Sequence, residues 1–87
     1  MSKKNKLRER FYKEPPPKDF TWDELETMLV SLGFVKTPGI GSRVKFIYEP
    51  LNFPISIHRP HPQNILKQYS IKQIKEALDE LKTLLGN

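Results

Sequence analysis

Two short segments in the middle of the chain alternate between apolar and polar residues, and together they predict a β-hairpin. The segments are residues 43–48 and 53–58, and their apolar positions are Val44, Phe46, Tyr48, Phe53, Ile55 and Ile57. The four residues between the segments form a turn that pairs Tyr48 with Phe53. A slip of one residue would bury Arg43 and expose Phe46, so the alternation specifies the register.

The same register predicts a set of polar side chains on the opposite face of the hairpin. Arg43 is expected opposite His58, and Lys45 opposite Ser56. These residue types bind an RNA backbone, and histidine also transfers protons near neutral pH. Pro54 cannot donate a hydrogen bond to a neighbouring strand, which predicts that the second strand of the hairpin lies at an edge of the sheet.

A capping box marks the start of the helix that precedes the hairpin. The Thr21 hydroxyl can accept from the Glu24 amide while the Glu24 carboxylate reaches back to Thr21. Phe20 and Leu25 make the accompanying hydrophobic staple. A single apolar stripe follows at helical spacing, formed by Trp22, Leu25, Met28, Leu29 and Leu32. Gly33 then predicts a left-handed exit from the helix.

A second capping box predicts the helix that closes the chain. It consists of Ser70 and Gln73, with Tyr69 and Ile74 as the staple pair. The stripe of this helix is formed by Ile71, Ile74, Leu78 and Leu81, and Gly86 ends it.

The predicted order of elements is α-β-β-β-α, because residues 34–36 also predict a short strand and residues 37–41 a turn. Such a chain has an α+β fold in which two helices cover one face of a three-stranded antiparallel sheet. The face that carries Arg43 and His58 is expected to stay open.

The net charge of the chain, +5, comes entirely from residues 1–18. This segment is polar, lacks a sustained helical stripe and ends in three successive prolines, which predicts a disordered basic arm before a domain over residues 19–87. The arm is either a solubilising tail or a non-specific binder of phosphates. Within the neutral remainder, residues 34–69 are basic, which predicts a polyanionic partner.

Composition excludes several classes of protein. The chain has no cysteine, so disulfides and thiolate metal sites are excluded. Its apolar runs are too short to cross a bilayer, and no secretory signal is present, so we expect a soluble cytoplasmic protein. We predict no cofactor and no metal, because nothing nearby completes a metal site around His58 and His61.

Several short motifs, taken in order, resemble the HicA toxin family over about residues 20–85. The step from the first helix into the first strand is similar at Leu32-Gly33-Phe34, and the opening of the second strand is similar at Gly41-Ser42. Similarity continues through the third strand and into the closing helix, in Ile55-Ser56-Ile57-His58, Pro60, His61, Leu66-Lys67 and Ser70.

The resemblance implies a fold similar to double-stranded-RNA-binding domains, cleavage of mRNA without a metal, and a HicB-type antitoxin as partner. The usual catalytic histidine of the family follows the glycine-serine pair, and that position is Arg43 here. Arginine stays protonated and cannot act as a general base. We therefore expect His58 to supply the imidazole from across the hairpin, with Arg43 as a phosphate clamp. The predicted RNA-binding residues are Lys45, Ser56, Arg59, His61 and Lys67.

Two further functions remain open from the sequence. One is an RNA-binding module on the same fold that does not cleave, and the other is a protein-binding domain whose basic face docks an acidic partner. Simpler interpretations also remain open for single residues. His58 can be a surface histidine without a chemical role, and Arg43 and Lys45 can be solvated charges that protect an exposed sheet face.

Overall fold

The fold is built on three antiparallel strands that are preceded by two helices and followed by one. A computed structural model describes residues 3–61 and 63–86. Its elements are α1 (Lys3–Phe11), α2 (Trp22–Ser31), β1 (Phe34–Pro38), β2 (Arg43–Tyr48), β3 (Phe53–His58) and α3 (Gln68–Leu84). Across the described residues, no helix combines the length and the apolarity that a bilayer crossing requires.

The sheet has the strand order β1-β2-β3, and the predicted register of the hairpin is confirmed. Tyr48 pairs with Phe53 and Arg43 pairs with His58. A 3₁₀ turn over Glu49–Leu51 reverses the chain, and Asn52 completes the reversal in the left-handed conformation, with φ of 51°. Because β3 pairs with β2 alone, it lies at an edge of the sheet, as predicted.

The hydrophobic core lies between one face of the sheet and the helices, which confirms the predicted α+β architecture. Helix α2 packs against β1, and α3 packs against β3. The rings of Trp22 on α2 and Phe46 on β2 meet at the centre, with their centroids 5.9 Å apart. Both predicted stripes are buried, through Trp22, Leu25, Met28, Leu29, Ile71, Ile74, Leu78 and Leu81, except that Leu32 at the end of the first stripe is half-buried.

The predicted limits of α2 are also confirmed. The Thr21 hydroxyl accepts from the Glu24 amide at 3.2 Å, and the Thr21 amide donates to the Glu24 carboxylate at 3.1 Å. Gly33 follows the helix with φ of 105°, a conformation that side chains disfavour. A Cβ at this position would lie 3.1 Å from the ring of Tyr48, so the close approach of β2 also favours glycine.

The predicted start of the closing helix is wrong. Helix α3 begins at Gln68, its N-cap is Lys67, and no side chain caps it. Tyr69 is 60% exposed, so it does not form a buried staple with Ile74. The early start has a tertiary cause, because the buried Leu66 is held by a 2.8 Å hydrogen bond from its amide to the Phe20 carbonyl. The chain therefore turns into the helix directly after this anchor.

Half of the segment that was predicted to be a disordered arm is helical, because Lys3–Phe11 form helix α1. Phe11 is fully buried, and its ring lies 5.4 Å from that of Phe20 in an edge-on contact. Arg10 reaches α2 through an ion pair with Glu24. The sequence predicts this helix only weakly, because the segment is mostly charged and Phe11 is the one fully buried side chain among its described residues.

We predict that Phe11→Ala destabilises the fold by about 3–5 kcal/mol, because the substitution leaves a cavity in the core. Denaturation by urea, followed by circular dichroism, measures the free energy of unfolding. Ile40→Ala is the control, because Ile40 is 93% exposed and its loss should change little. Equal effects of the two substitutions would show that α1 does not belong to the core.

We also predict that the charge of Glu24 makes stability depend on pH. Burial alone would raise the pKa of this carboxyl, but hydrogen bonds from the Thr21 amide and Arg10 outweigh burial and lower the pKa. A carboxyl with a lowered pKa stabilises the folded state above its unfolded pKa of 4.5, and this contribution is lost as the pH falls through the folded pKa.

Glutamine at position 24 can still accept the capping hydrogen bond, but it carries no charge. Glu24→Gln should therefore lower the free energy of unfolding by about 1 kcal/mol at pH 7. The difference between wild type and variant should shrink as the pH falls below the unfolded pKa. Urea titrations at a series of pH values measure this difference. A difference that stays constant with pH would mean that geometry, and not charge, stabilises the cap.

Candidate nucleic-acid interface

The sheet face that points away from the helices brings together four of the predicted site residues. Alternation along paired strands arranges this open face in rows that cross the sheet. One row pairs Arg43 with His58, and the next aligns Lys45 with Ser56. All four side chains are exposed. The third row is apolar and consists of Val35, Ile47 and Pro54.

The hairpin pairing extends one step beyond the strand ends and places His58 in a defined position. The Arg59 amide donates to the Ser42 carbonyl at 2.8 Å, which holds the two chain segments together next to His58. The Ser42 hydroxyl lies 3.5 Å from Nδ1 of His58, at the outer limit of a hydrogen bond. Gly41 precedes this contact with φ of 65°, so the glycine-serine pair provides the turn that brings Ser42 to the imidazole.

The other three predicted residues lie in a cleft beside the end of β3. Its volume is about 570 Å³, and its lining includes His58, Arg59, His61, Lys67, Tyr69 and Ser70. His58 belongs both to the open face and to this basic cleft, so it joins the two parts of the predicted site. The volume falls within the range of pockets that enclose small ligands, about 300–1,000 Å³.

A smaller groove of about 290 Å³ separates the edge strand β3 from α3. Ser56 and His58 line it from the strand, and Tyr69, Ser70 and Gln73 line it from the helix. The edge of β3 is therefore accessible on the side where the predicted catalytic imidazole lies.

Positive charge in this region lacks local neutralisation. Among the described residues that line the basic cleft there is no aspartate or glutamate. Within residues 3–61 and 63–86, no ion pair involves Arg43, Lys45, Arg59 or Lys67. Basic residues elsewhere do form such pairs, as Lys36 does with Glu26 at 3.2 Å. The cations of the candidate site are therefore available to an anionic ligand.

The described residues contain no group of three or more histidine, aspartate or glutamate side chains arranged to hold a metal ion. Of the acidic residues in the first turn of α2, Glu24 belongs to the capping box and to the ion pair with Arg10. Glu24 thus has a structural role, and neither Glu24 nor Asp23 lines the basic cleft.

Sequence reasoning missed Tyr69 and Ser70 as members of the site, because both were assigned to the start of a helix. A signal for Tyr69 did exist. It precedes Ile71 by two residues, a spacing that places it roughly 200° away from the buried stripe of α3. Its exposure follows directly from this position on the helix.

Comparison with known families assigns the chain to one of them. A family model described as HicA toxin of bacterial toxin-antitoxin matches residues 22–83, which is more than two thirds of the chain. The chain belongs to the HicA toxin family. This confirms the resemblance that the motifs of the sequence indicated. No curated protein and no solved structure matches the chain.

The HicA match contains all of the predicted site residues and leaves α1 outside it. The matched region begins at the first residue of α2 and ends within the last turn of α3. The open face and the basic cleft therefore lie within the matched region, whereas the docked helix α1 lies before it.

Proposed function

We propose that this HicA-family protein is a toxin that cleaves mRNA at the junction of the open face and the basic cleft. The observation that carries the proposal is the direct pairing of Arg43 with His58 across the hairpin. This pairing puts a permanent cation beside a group that can transfer protons, on a surface whose positive charge is not neutralised.

The proposed reaction is an internal displacement on the RNA backbone. His58 accepts the proton of a ribose 2′-hydroxyl, and the 2′-oxygen attacks the adjacent phosphorus. A bond forms between the 2′-oxygen and phosphorus, and the bond between phosphorus and the 5′-oxygen breaks. A protonated His61 donates to the departing 5′-oxygen. The products are a 2′,3′-cyclic phosphate and a 5′-hydroxyl.

Arg43 and Lys45 supply the charge stabilisation that this displacement requires. The five-coordinate phosphorus carries additional negative charge, and fixed cations next to it stabilise the transition state more than the substrate. A guanidinium can also bind two phosphate oxygens at once, which orients the phosphate. The route contains no step that a metal ion must perform. The cytoplasm is the proposed compartment, because mRNA is translated there.

A HicB-type antitoxin is the proposed protein partner of this toxin. The open face carries the apolar row of Val35, Ile47 and Pro54 next to its charged row. A protein partner can bury the apolar row and form ion pairs with the charged row at the same time. A protein bound across this face would cover Arg43 and His58 and so prevent access of RNA.

A second function, RNA binding without cleavage, is favoured by one specific observation. The position of the usual catalytic histidine, as the resemblance assigns it, is occupied by Arg43, which cannot accept a proton. A protein that had lost the base without replacing it would still bind RNA through its cations. Cleavage therefore has to be measured separately from binding.

We predict that the purified protein cleaves RNA in the presence of EDTA and that His58→Ala lowers the rate by about 10²–10⁴-fold, the range of general acid–base catalysis. Gel analysis of an end-labelled RNA measures the rate, and detection of 2′,3′-cyclic phosphate ends identifies the chemistry. The affinity of the variant for RNA should stay within a few-fold of wild type, because the substitution removes no permanent charge.

Equal cleavage rates for the wild type and His58→Ala would contradict the assignment of His58 as the catalytic base. Salt-sensitive binding without any cleavage would instead establish the non-cleaving RNA-binding module. If the protein binds no RNA at all, the remaining function is a protein-binding domain with a basic docking face.

We further predict that Arg43→Ala and Lys45→Ala each weaken RNA binding and reduce the slope of log affinity against log salt by about 1, because each removes one phosphate contact. Fluorescence anisotropy at four or five salt concentrations measures this slope. Lys36→Ala is the matched control, because Lys36 is also a basic strand residue but pairs with Glu26 on α2. A change in slope as large in the control would contradict a localised binding surface.

A further inference from the structure

Tyr69 differs from all other aromatic residues of the chain in its exposure. Its side chain is 60% exposed, whereas every other phenylalanine, tryptophan and tyrosine is buried or half-buried. Moving the apolar surface of an aromatic ring from water into contact with a ligand is favourable. The exposed ring of Tyr69 is therefore available to a ligand with an apolar, planar surface.

The surroundings of this ring are those of an anion-binding cleft. Tyr69 lines the basic cleft together with Arg59, His61 and Lys67. The ammonium group of Lys67 lies 5.9 Å from the centroid of the Tyr69 ring. Tyr69 also lies in the first turn of α3, and a helical backbone holds the ring more firmly than a loop would. The cleft thus offers an aromatic ring and basic side chains next to each other.

A nucleotide combines these two chemical features in one ligand. Its base offers a π-face that stacks on aromatic side chains, and its phosphate pairs with lysine and arginine. A cleft of about 570 Å³ is large enough for one nucleotide. The bases of an RNA duplex are stacked and paired inside the helix, so only an unpaired base can reach a ring in such a cleft.

We propose that the basic cleft binds an unpaired nucleotide of RNA, with its base stacked on Tyr69 and its flanking phosphates held by Lys67 and Arg59. This inference rests on the proposed function and defines its substrate as single-stranded rather than double-stranded RNA. Stacking tolerates every base, so the site selects for an unpaired strand more than for a sequence.

A base stacked on Tyr69 would also position the phosphodiester that is cleaved. His58 lines the cleft that contains Tyr69, so a base held by Tyr69 brings the neighbouring phosphodiester towards the imidazole. An unpaired nucleotide can also rotate its ribose so that the 2′-oxygen lines up with the bond that breaks, whereas a regular duplex keeps these atoms out of line. Selection for single strands would thus contribute to both binding and cleavage.

The test compares binding of a single-stranded RNA and a fully paired RNA duplex of the same length, both with 2′-fluoro riboses that lack the attacking hydroxyl. Anisotropy titrations use the wild type, Tyr69→Ala, Tyr69→Phe and Leu84→Ala. Leu84 is the matched control, because it is 59% exposed and lies at the other end of the same helix.

We expect Tyr69→Ala to weaken binding of the single strand by about 5- to 100-fold, the loss that corresponds to one stacked base. Tyr69→Phe should bind within about twofold of wild type, because stacking needs the ring and not the hydroxyl. Binding of the duplex should not change with either substitution. The salt dependence should also stay the same, because the ring carries no charge.

Several results would overturn this inference while the proposed function stands. They are an unchanged affinity of Tyr69→Ala for the single strand, an equal loss for single strand and duplex, and a loss in Tyr69→Phe as large as in Tyr69→Ala. An effect of Leu84→Ala equal to that of Tyr69→Ala would also overturn it. A wild-type protein that binds neither RNA would overturn the proposed function and the inference together.

Discussion

The pairing register of β2 and β3 is the constraint on which the rest of the molecule depends. On one side of the hairpin it buries Phe46, which meets Trp22 of α2 in the core. On the other side it aligns Arg43 with His58. Because neighbouring residues of a strand point to opposite faces, a shift that removed the polar rows would also expose the core. The stability of the core thus maintains the geometry of the candidate site.

Helix α1 has a comparable indirect role for the basic cleft. Phe11 fills the core, and the segment that follows the helix returns towards α3, where the Pro16 carbonyl accepts from the Gln68 side chain at 2.7 Å. Gln68 is the first residue of α3 and the neighbour of Tyr69. The N-terminal segment therefore holds the end of α3 that borders the cleft, although it lies outside residues 22–83, which the HicA family model matches.

Local periodicity made the hairpin, its register and the start of α2 predictable, because each depends on residues that are close in sequence. It could not reveal α1 or the first residue of α3, which depend on distant contacts of Phe11 with Phe20 and of Leu66 with Phe20. The candidate site divides in the same way. Pairing across the hairpin predicted the group around His58, whereas the assignment of Tyr69 to a hydrophobic staple hid its contribution to the cleft.

In the proposed reaction, Arg43 provides charge where the resemblance leads one to expect a histidine, and the imidazole comes from His58 on the neighbouring strand. Side chains of directly paired residues lie about 4.5–5.5 Å apart at their Cβ atoms, so an imidazole at His58 is displaced by one strand from position 43. This displacement is directed towards the edge of the sheet, where the basic cleft begins. An unpaired nucleotide stacked on Tyr69 would then present its phosphodiester on the same side, between the displaced imidazole and the guanidinium of Arg43. The proposed base His58 and the exposed ring of Tyr69 thus fit one mode of RNA binding.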